Sequence, residues 1–143
     1  MDSLFSAAVL SVLLVGASAL VHYEGLKSLN DALPGIRAVA PRAKVLLAVV
    51  GSMASHACQI TLFAIAYDLL RNHFGLGTFG GHFKDQFTSF LYFSTETYTS
   101  LGLGDIYPTG ALRMVTGIEA LTGLVMISWT ASFTYLEMRR YWK

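Results

Sequence analysis

Residues Thr99 to Asp105 read TSLGLGD, a run whose chemistry lies in its backbone more than in its side chains. Gly102 and Gly104 supply unusual dihedral angles at alternate positions, so a strand of this composition presents its peptide groups openly. Three acids stand close by in sequence. Glu96 precedes Asp105 by nine residues, and two carboxyl groups in a poorly solvated place do not easily both ionise, so the second to titrate is pushed upward. Glu119 lies inside a long apolar stretch, where a carboxyl is costly enough to be read as functional. No span carries a nucleophile and base pair or an HExxH-type ligand set, which argues against an enzyme. His22 and Glu24 are not spaced for a metal site with any other donor.

The elements that must position these groups belong to a membrane protein. Of 143 residues, 54% are apolar and 13% charged, about half the charge of an ordinary soluble domain, and the mean hydropathy is +0.53. Three stretches are long and apolar enough to cross a bilayer, for which about 20 residues suffice: Leu4 to Val21, Val45 to Tyr67 and Leu112 to Tyr135. The first lacks the basic flank of a signal peptide, since Asp2 is the only charge before it, and is read as a true span. Cys58, the single cysteine, sits in the second span and reads as a buried thiol. A formal net charge of +1 without basic runs gives no reason to expect a nucleic-acid partner.

Charge sidedness orients the spans. Lys27, Arg37, Arg42 and Lys44 lie between the first two, and Arg139, Arg140 and Lys143 follow the third, against Arg71, Lys84 and Arg113 on the other side. This bias places the C-terminus in the cytoplasm and the N-terminus outside, in a plasma or inner membrane. Tyr23, Leu26, Leu29 and Leu33 recur at helical spacing until Pro34 and Gly35, which predicts a short helix on the cytoplasmic membrane surface, more simply a connector than a regulatory element. Gly75, Gly77 and Gly80 match GxGxxG outside any βαβ unit; this stretch reads as a flexible outer loop with His73, His82 and Lys84 facing water, and zinc or proton sensing by the histidines is the lesser reading. A short helix from about residue 85 to 98 carries Phe87, Phe90, Leu91 and Ser94 on one face, and its C-terminal dipole favours a cation beyond it.

A short amphipathic helix, TSLGLGD and a long apolar span follow one another in the order of a pore loop. The string resembles the selectivity filter of the tetrameric potassium-channel superfamily, usually spelled TTVGYGD, and the chain is similar to the two-span pore-loop type with an extra N-terminal helix. The resemblance implies an all-α membrane protein of three transmembrane helices with a re-entrant pore helix and a filter strand, assembled as a homotetramer because one filter copy needs four chains to close a ring. It implies a first helix over 1–22, a connector over 23–43, a pore domain over 44–138 and a basic tail over 139–143. Within the pore domain the outer helix covers 44–70, the turret 71–84, the pore helix 85–98, the filter 99–105 and the inner helix 111–138.

The same resemblance implies that Thr99, Ser100, Leu101, Gly102, Leu103 and Gly104 form the ion-coordinating filter, with carbonyls of Ser100, Leu101, Gly102 and Leu103 and the Ser100 hydroxyl holding dehydrated K+. No cofactor beyond the permeant K+ is implied. Leu103 stands where the family has an aromatic residue, and a GLG filter occurs in second pore loops of eukaryotic two-pore-domain channels. Tyr92 and Phe93 match the aromatic cuff around the filter, and Glu96 with Asp105 match a carboxyl pair that shares a proton in some bacterial members, the alternative being a solvated glutamate. Gly123 matches the inner-helix glycine where members bend, or else is a close-packing glycine. Glu119 either pairs with hydroxyls such as Ser94 or Thr97 or faces a water-filled cavity. His56 and Gln59 read as interhelical hydrogen-bonding groups. The function implied is passive K+ conduction, with a weakly selective cation channel or a non-conducting scaffold or modulatory subunit as alternatives. No helix carries arginines at every third position, which argues against voltage sensing, and anionic lipids at Arg139, Arg140 and Lys143 are possible partners.

Overall fold

A computed structural model describes residues 2–142; Lys143 of the expected basic tail lies outside the described residues. Helix α1 runs from Asp2–Ala32 and ends in a single 3-10 turn, Leu33–Gly35. Helix α2 (Pro41–Asn72), strand β1 (Phe79–Gly81), helix α3 (Phe87–Tyr98), strand β2 (Ile106–Pro108) and helix α4 (Leu112–Tyr141) follow. At about 1.5 Å per residue the three long helices each exceed the roughly 30 Å of a hydrocarbon core, whereas α3 covers only about 18 Å and must re-enter rather than cross. All three long helices are apolar enough to cross a membrane.

The sequence reading of two pieces before residue 34 is corrected: α1 is one continuous helix of 31 residues. No proline or paired glycine interrupts it before Pro34, and the leucines of the stripe expected to lie on the membrane surface pack inside the protein, while Tyr23 stays exposed. Leu26 and Leu33 are buried in a cluster with Ala48 of α2 and Phe133 of α4, with Leu29 packed against it. The observed outer and inner helices run beyond the expected 44–70 and 111–138, and α3 begins two residues later than 85. Asp85 instead pairs with Arg71 at 2.6 Å, while the Gln86 carbonyl accepts the Ser89 N–H at 3.0 Å and starts the helix.

The glycine-rich loop is more ordered than expected. Its β1 pairs antiparallel with β2, in the register Phe79↔Pro108, Gly80↔Tyr107 and Gly81↔Ile106, so the chain before α3 is tied to the chain after residues 99–105. His73, His82 and Lys84 are exposed, and no group of three metal donors occurs among the described residues. Cys58 is exposed on α2, not buried: an apolar neighbourhood in a membrane helix includes the face turned to lipid.

Two apolar clusters sit toward opposite ends of the helices. One gathers Phe63, Ala64, Tyr67, Leu70, Phe90, Phe93, Ile106, Leu112 and Val115 beneath the pore loop, with Ala7 from α1; Phe79 stacks in it, 4.9 to 5.7 Å from the rings of Tyr67, Phe83, Phe90 and Phe93. The other is the Leu26, Leu33, Ala48 and Phe133 group. Buried polar residues lie between them in sequence on every long helix: Ser18 and His22 on α1, Ser55, His56 and Gln59 on α2, and Thr122 on α4. Since lipid is as apolar as leucine, such polar contacts and close packing hold helices together where the hydrophobic effect does not.

Candidate ion-conducting site

The segment 99–105 leaves the C-terminal end of α3 with Thr99 still near helical geometry, at φ −83° and ψ −4°. Beyond it the sign of φ alternates: Ser100 is at +58°, Gly102 at +58° and Gly104 at +77°, with the residues between them negative. Alternating handedness turns successive N–H groups to one side and successive carbonyls to the other. Two of the three positive positions are glycine, for which that region carries no steric cost; Ser100 accepts the conformation at a cost of about 1–2 kcal/mol.

The N–H side faces the pore helix. Ser100 N–H donates to the Thr97 carbonyl at 2.9 Å, and Leu101 and Gly102 N–H donate to the Glu96 carbonyl at 2.8 and 3.3 Å. Leu103 N–H donates to Glu96 Oε2 at 3.1 Å. Four consecutive donors are thereby satisfied by one turn of α3. Among the described residues no hydrogen bond is accepted by the carbonyls of Ser100, Leu101, Gly102 or Leu103, and the side chains of Leu101 and Leu103 are 64% and 59% exposed. A row of free carbonyls on the face opposite a satisfied row of N–H groups offers hard oxygen donors to a cation.

The two acids at the outer end do not bond to each other among the described residues. Glu96 is buried and takes the Leu103 N–H, whereas Asp105 accepts the Tyr92 hydroxyl at 3.1 and 3.2 Å. Burial pushes the Glu96 carboxyl above its ordinary range; the Leu103 N–H pulls it the other way, and the charge of Asp105 adds to the rise. The two are thus coupled through space without a shared hydrogen bond. Phe93 is buried among Tyr67 and Phe79, so of the expected aromatic pair only Tyr92 touches the segment's end.

Glu119 is fully buried. It accepts from Ser94 Oγ and from the Tyr67 hydroxyl, each at 2.5 Å, which joins α3, α2 and α4 through one carboxyl. Of its two expected settings the hydroxyl pairing is the one present, with Ser94 and not Thr97; Tyr67 was not foreseen. Gly123 packs directly on the Tyr98 carbonyl, where a Cβ would overlap, and α4 runs unbroken through it. Its geometry here is that of a close-packing glycine. His56 and Gln59 do bond between helices, to Tyr98, Thr130, His22 and Ser18. Tyr98 and Thr130 carry no sequence expectation as partners, and His22 is weighed from the sequence only as a metal donor. The available signal was that each is a polar group within or beside an apolar run, where it must find a partner.

Comparison with curated proteins and with solved structures gives no match. A model of the family described as "ion channel" matches residues 55–138, more than half of the chain, and takes in most of α2 with all of α3, the glycine-alternating segment and nearly all of α4; α1 lies outside it. The match spans the half-length helix α3, the carbonyl-exposing segment and the two long helices on either side of them, and the chain belongs to the two-span pore-loop ion-channel family.

Proposed function

We propose that this integral membrane protein is a potassium-selective channel, conducting K+ passively through carbonyls of residues 100–103 around the fourfold axis of a homotetramer. The observation that carries the reading is the alternation of φ at Ser100, Gly102 and Gly104 together with the return of the N–H groups to α3. Carbonyls so presented replace the hydration shell of a cation of suitable size, and the C-terminal dipole of α3 favours positive charge at its end. Thr99 and Gly104 bound the coordinating stretch, Glu96, Asp105 and Tyr92 brace it, and Phe93 supports it from the core. Glu119 and Gly123 tie α4 to α3 and are the places where a movement of α4 reaches the filter. The basic residues put the C-terminus in the cytoplasm, where Arg139 and Arg140 meet anionic headgroups.

A weakly selective cation channel is the second reading. It is favoured by Leu103, whose side chain has no hydroxyl with which to brace the strand. Purified protein in a planar bilayer with K+ on one side and Na+ on the other separates the two. A reversal potential near the K+ equilibrium value, lost in Gly102→Asp, supports the selective channel; reversal near zero supports the weakly selective pore. Failure to form tetramers or to gain thermal protection from K+ identifies a non-conducting scaffold.

A further inference from the structure

We propose that α1 is a working part of the pore, because His22 completes a closed ring of side-chain hydrogen bonds that positions the inner end of residues 99–105; this rests on the reading of those residues as the filter. The ring draws on all four helices. Gln59 Nε2 lies 3.0 Å from His22 Nδ1, His22 Nε2 3.3 Å from Thr130 Oγ1, and Thr130 Oγ1 2.9 Å from His56 Nε2. His56 Nδ1 lies 2.9 Å from the Tyr98 hydroxyl, which donates to Gln59 Oε1 at 2.9 Å and closes the circuit.

Donor counting fixes its direction. An amide nitrogen only donates, so His22 Nδ1 accepts from Gln59 and the His22 proton sits on Nε2, donating to Thr130. Thr130 then donates to His56 Nε2, which leaves the His56 proton on Nδ1 to donate to Tyr98. Each member gives once and receives once around the circuit. The remaining capacity of Gln59 is also used: its second amide proton goes to the Ser55 carbonyl at 3.2 Å, and Oε1 receives Ser18 of α1 at 2.7 Å. The ring therefore exists only with both imidazoles neutral and in opposite tautomers. Protonating His22 would set an N–H against the Gln59 amide. The titratable groups bearing on it are the two imidazoles, 5.1 Å apart between ring centroids, the Tyr98 hydroxyl from α3 and, through Tyr98, Glu119 of α4; α4 otherwise presents Thr130 and the Trp129 ring.

Tyr98 links the ring to the filter. It is the last residue of α3, immediately before Thr99. Its hydroxyl is held by the ring and its carbonyl lies against Gly123, so a displaced ring displaces the residues that follow. Four ring members fall inside the family match and His22 outside it. Without His22 the circuit is an open chain, and the Gln59 amide is left with Ser55 alone, its hydroxyl at a long 3.5 Å, a costly state in a membrane interior.

The test is His22→Ala, His22→Gln, which restores one donor and one acceptor, and Ser11→Ala, a buried α1 position bonded only within its own helix. Each is reconstituted in lipid and read by solid-state NMR and by reversal potential. With the exposed His73 and His82 replaced (His73→Gln, His82→Gln) so that only His22 and His56 report, labelled histidine should give two neutral imidazoles of opposite tautomer; a charged ring, or one tautomer for both, overturns the proposal. The backbone signals of Thr99 to Leu101 should move in His22→Ala, stay in Ser11→Ala and return in His22→Gln, with K+/Na+ selectivity falling about tenfold in the first. Unmoved signals in His22→Ala overturn the positioning role whatever the selectivity. Moved signals in a protein whose wild type is unselective leave the positioning intact and defeat the filter reading instead.

Discussion

The two ends of residues 99–105 are held by opposite means. At the inner end Tyr98 sits in a buried, neutral circuit drawn from four helices, with α4 pressed on its carbonyl at Gly123. At the outer end the supports are carboxyls of the pore loop itself: Glu96 on the Leu103 N–H and Asp105 on a Tyr92 that is 38% exposed. In a closed neutral circuit away from water, losing one member weakens or strands its neighbours in the interior. Tyr92 and Asp105 are partly exposed and have water as an alternative, and the buried Glu96 can change its protonation. The contrast teaches that the inner end is set by how the helices pack and the outer end by local charge and protonation.

The largest effect should come from the packing contact. Gly123→Leu puts side-chain atoms where the Tyr98 carbonyl lies, and overpacking of this kind costs about 3 kcal/mol or more; thermal unfolding in lipid should show a large drop or no folded assembly, and an unchanged midpoint would mean that α4 does not press on α3 there. Next is Tyr98→Phe, which leaves the His56 N–H without an acceptor and removes a donor to Gln59, for about 1–3 kcal/mol. A double-mutant cycle sharpens it: Tyr98→Phe and His22→Ala should be strongly non-additive, since either opens the same circuit, whereas Tyr67→Phe with His22→Ala should add. Additivity in the first cycle would mean that His22 and Tyr98 do not belong to one circuit.

The smallest effect belongs to the outer end. Because the Glu96 carboxyl is raised in the folded protein, mainly by burial, its protonated form is the one that folding favours. Its contribution to stability is therefore full below the ordinary 4.5 and declines as pH rises through the raised value. Glu96→Gln should flatten that part of the stability-against-pH curve, read as the difference between variant and wild-type thermal midpoints across the acid range. A difference that grows toward low pH would mean that folding favours the ionised form of Glu96.

The pore loop was legible because its signals are local. Glycine at alternate positions, a half-length amphipathic stretch and an apolar run are properties of neighbouring residues. The order of strands was not: β1 pairs with β2 across the pore helix, and a glycine-rich loop gives little sign of it because pairing depends on a distant segment. The spacing of Tyr23, Leu26, Leu29 and Leu33 did identify a face to be covered, but periodicity reports that a face is covered and not by what. Lipid and protein are equally apolar, so a stripe that suits a membrane surface also suits α2 and α4, and α1 continues as one helix.

What the sequence determined by itself was the membrane setting, the three spans and the backbone chemistry of TSLGLGD, since hydropathy, length and the φ freedom of glycine are carried by each short stretch alone. Tertiary structure decided the partners. Glu119 had to find a donor, and it was the folding of α2 beside α4 that made Tyr67 one of them. His22 and Thr130 meet across 108 residues of chain. A polar group in an apolar span announces that it needs a hydrogen bond, but only the packing of the helices chooses which group supplies it.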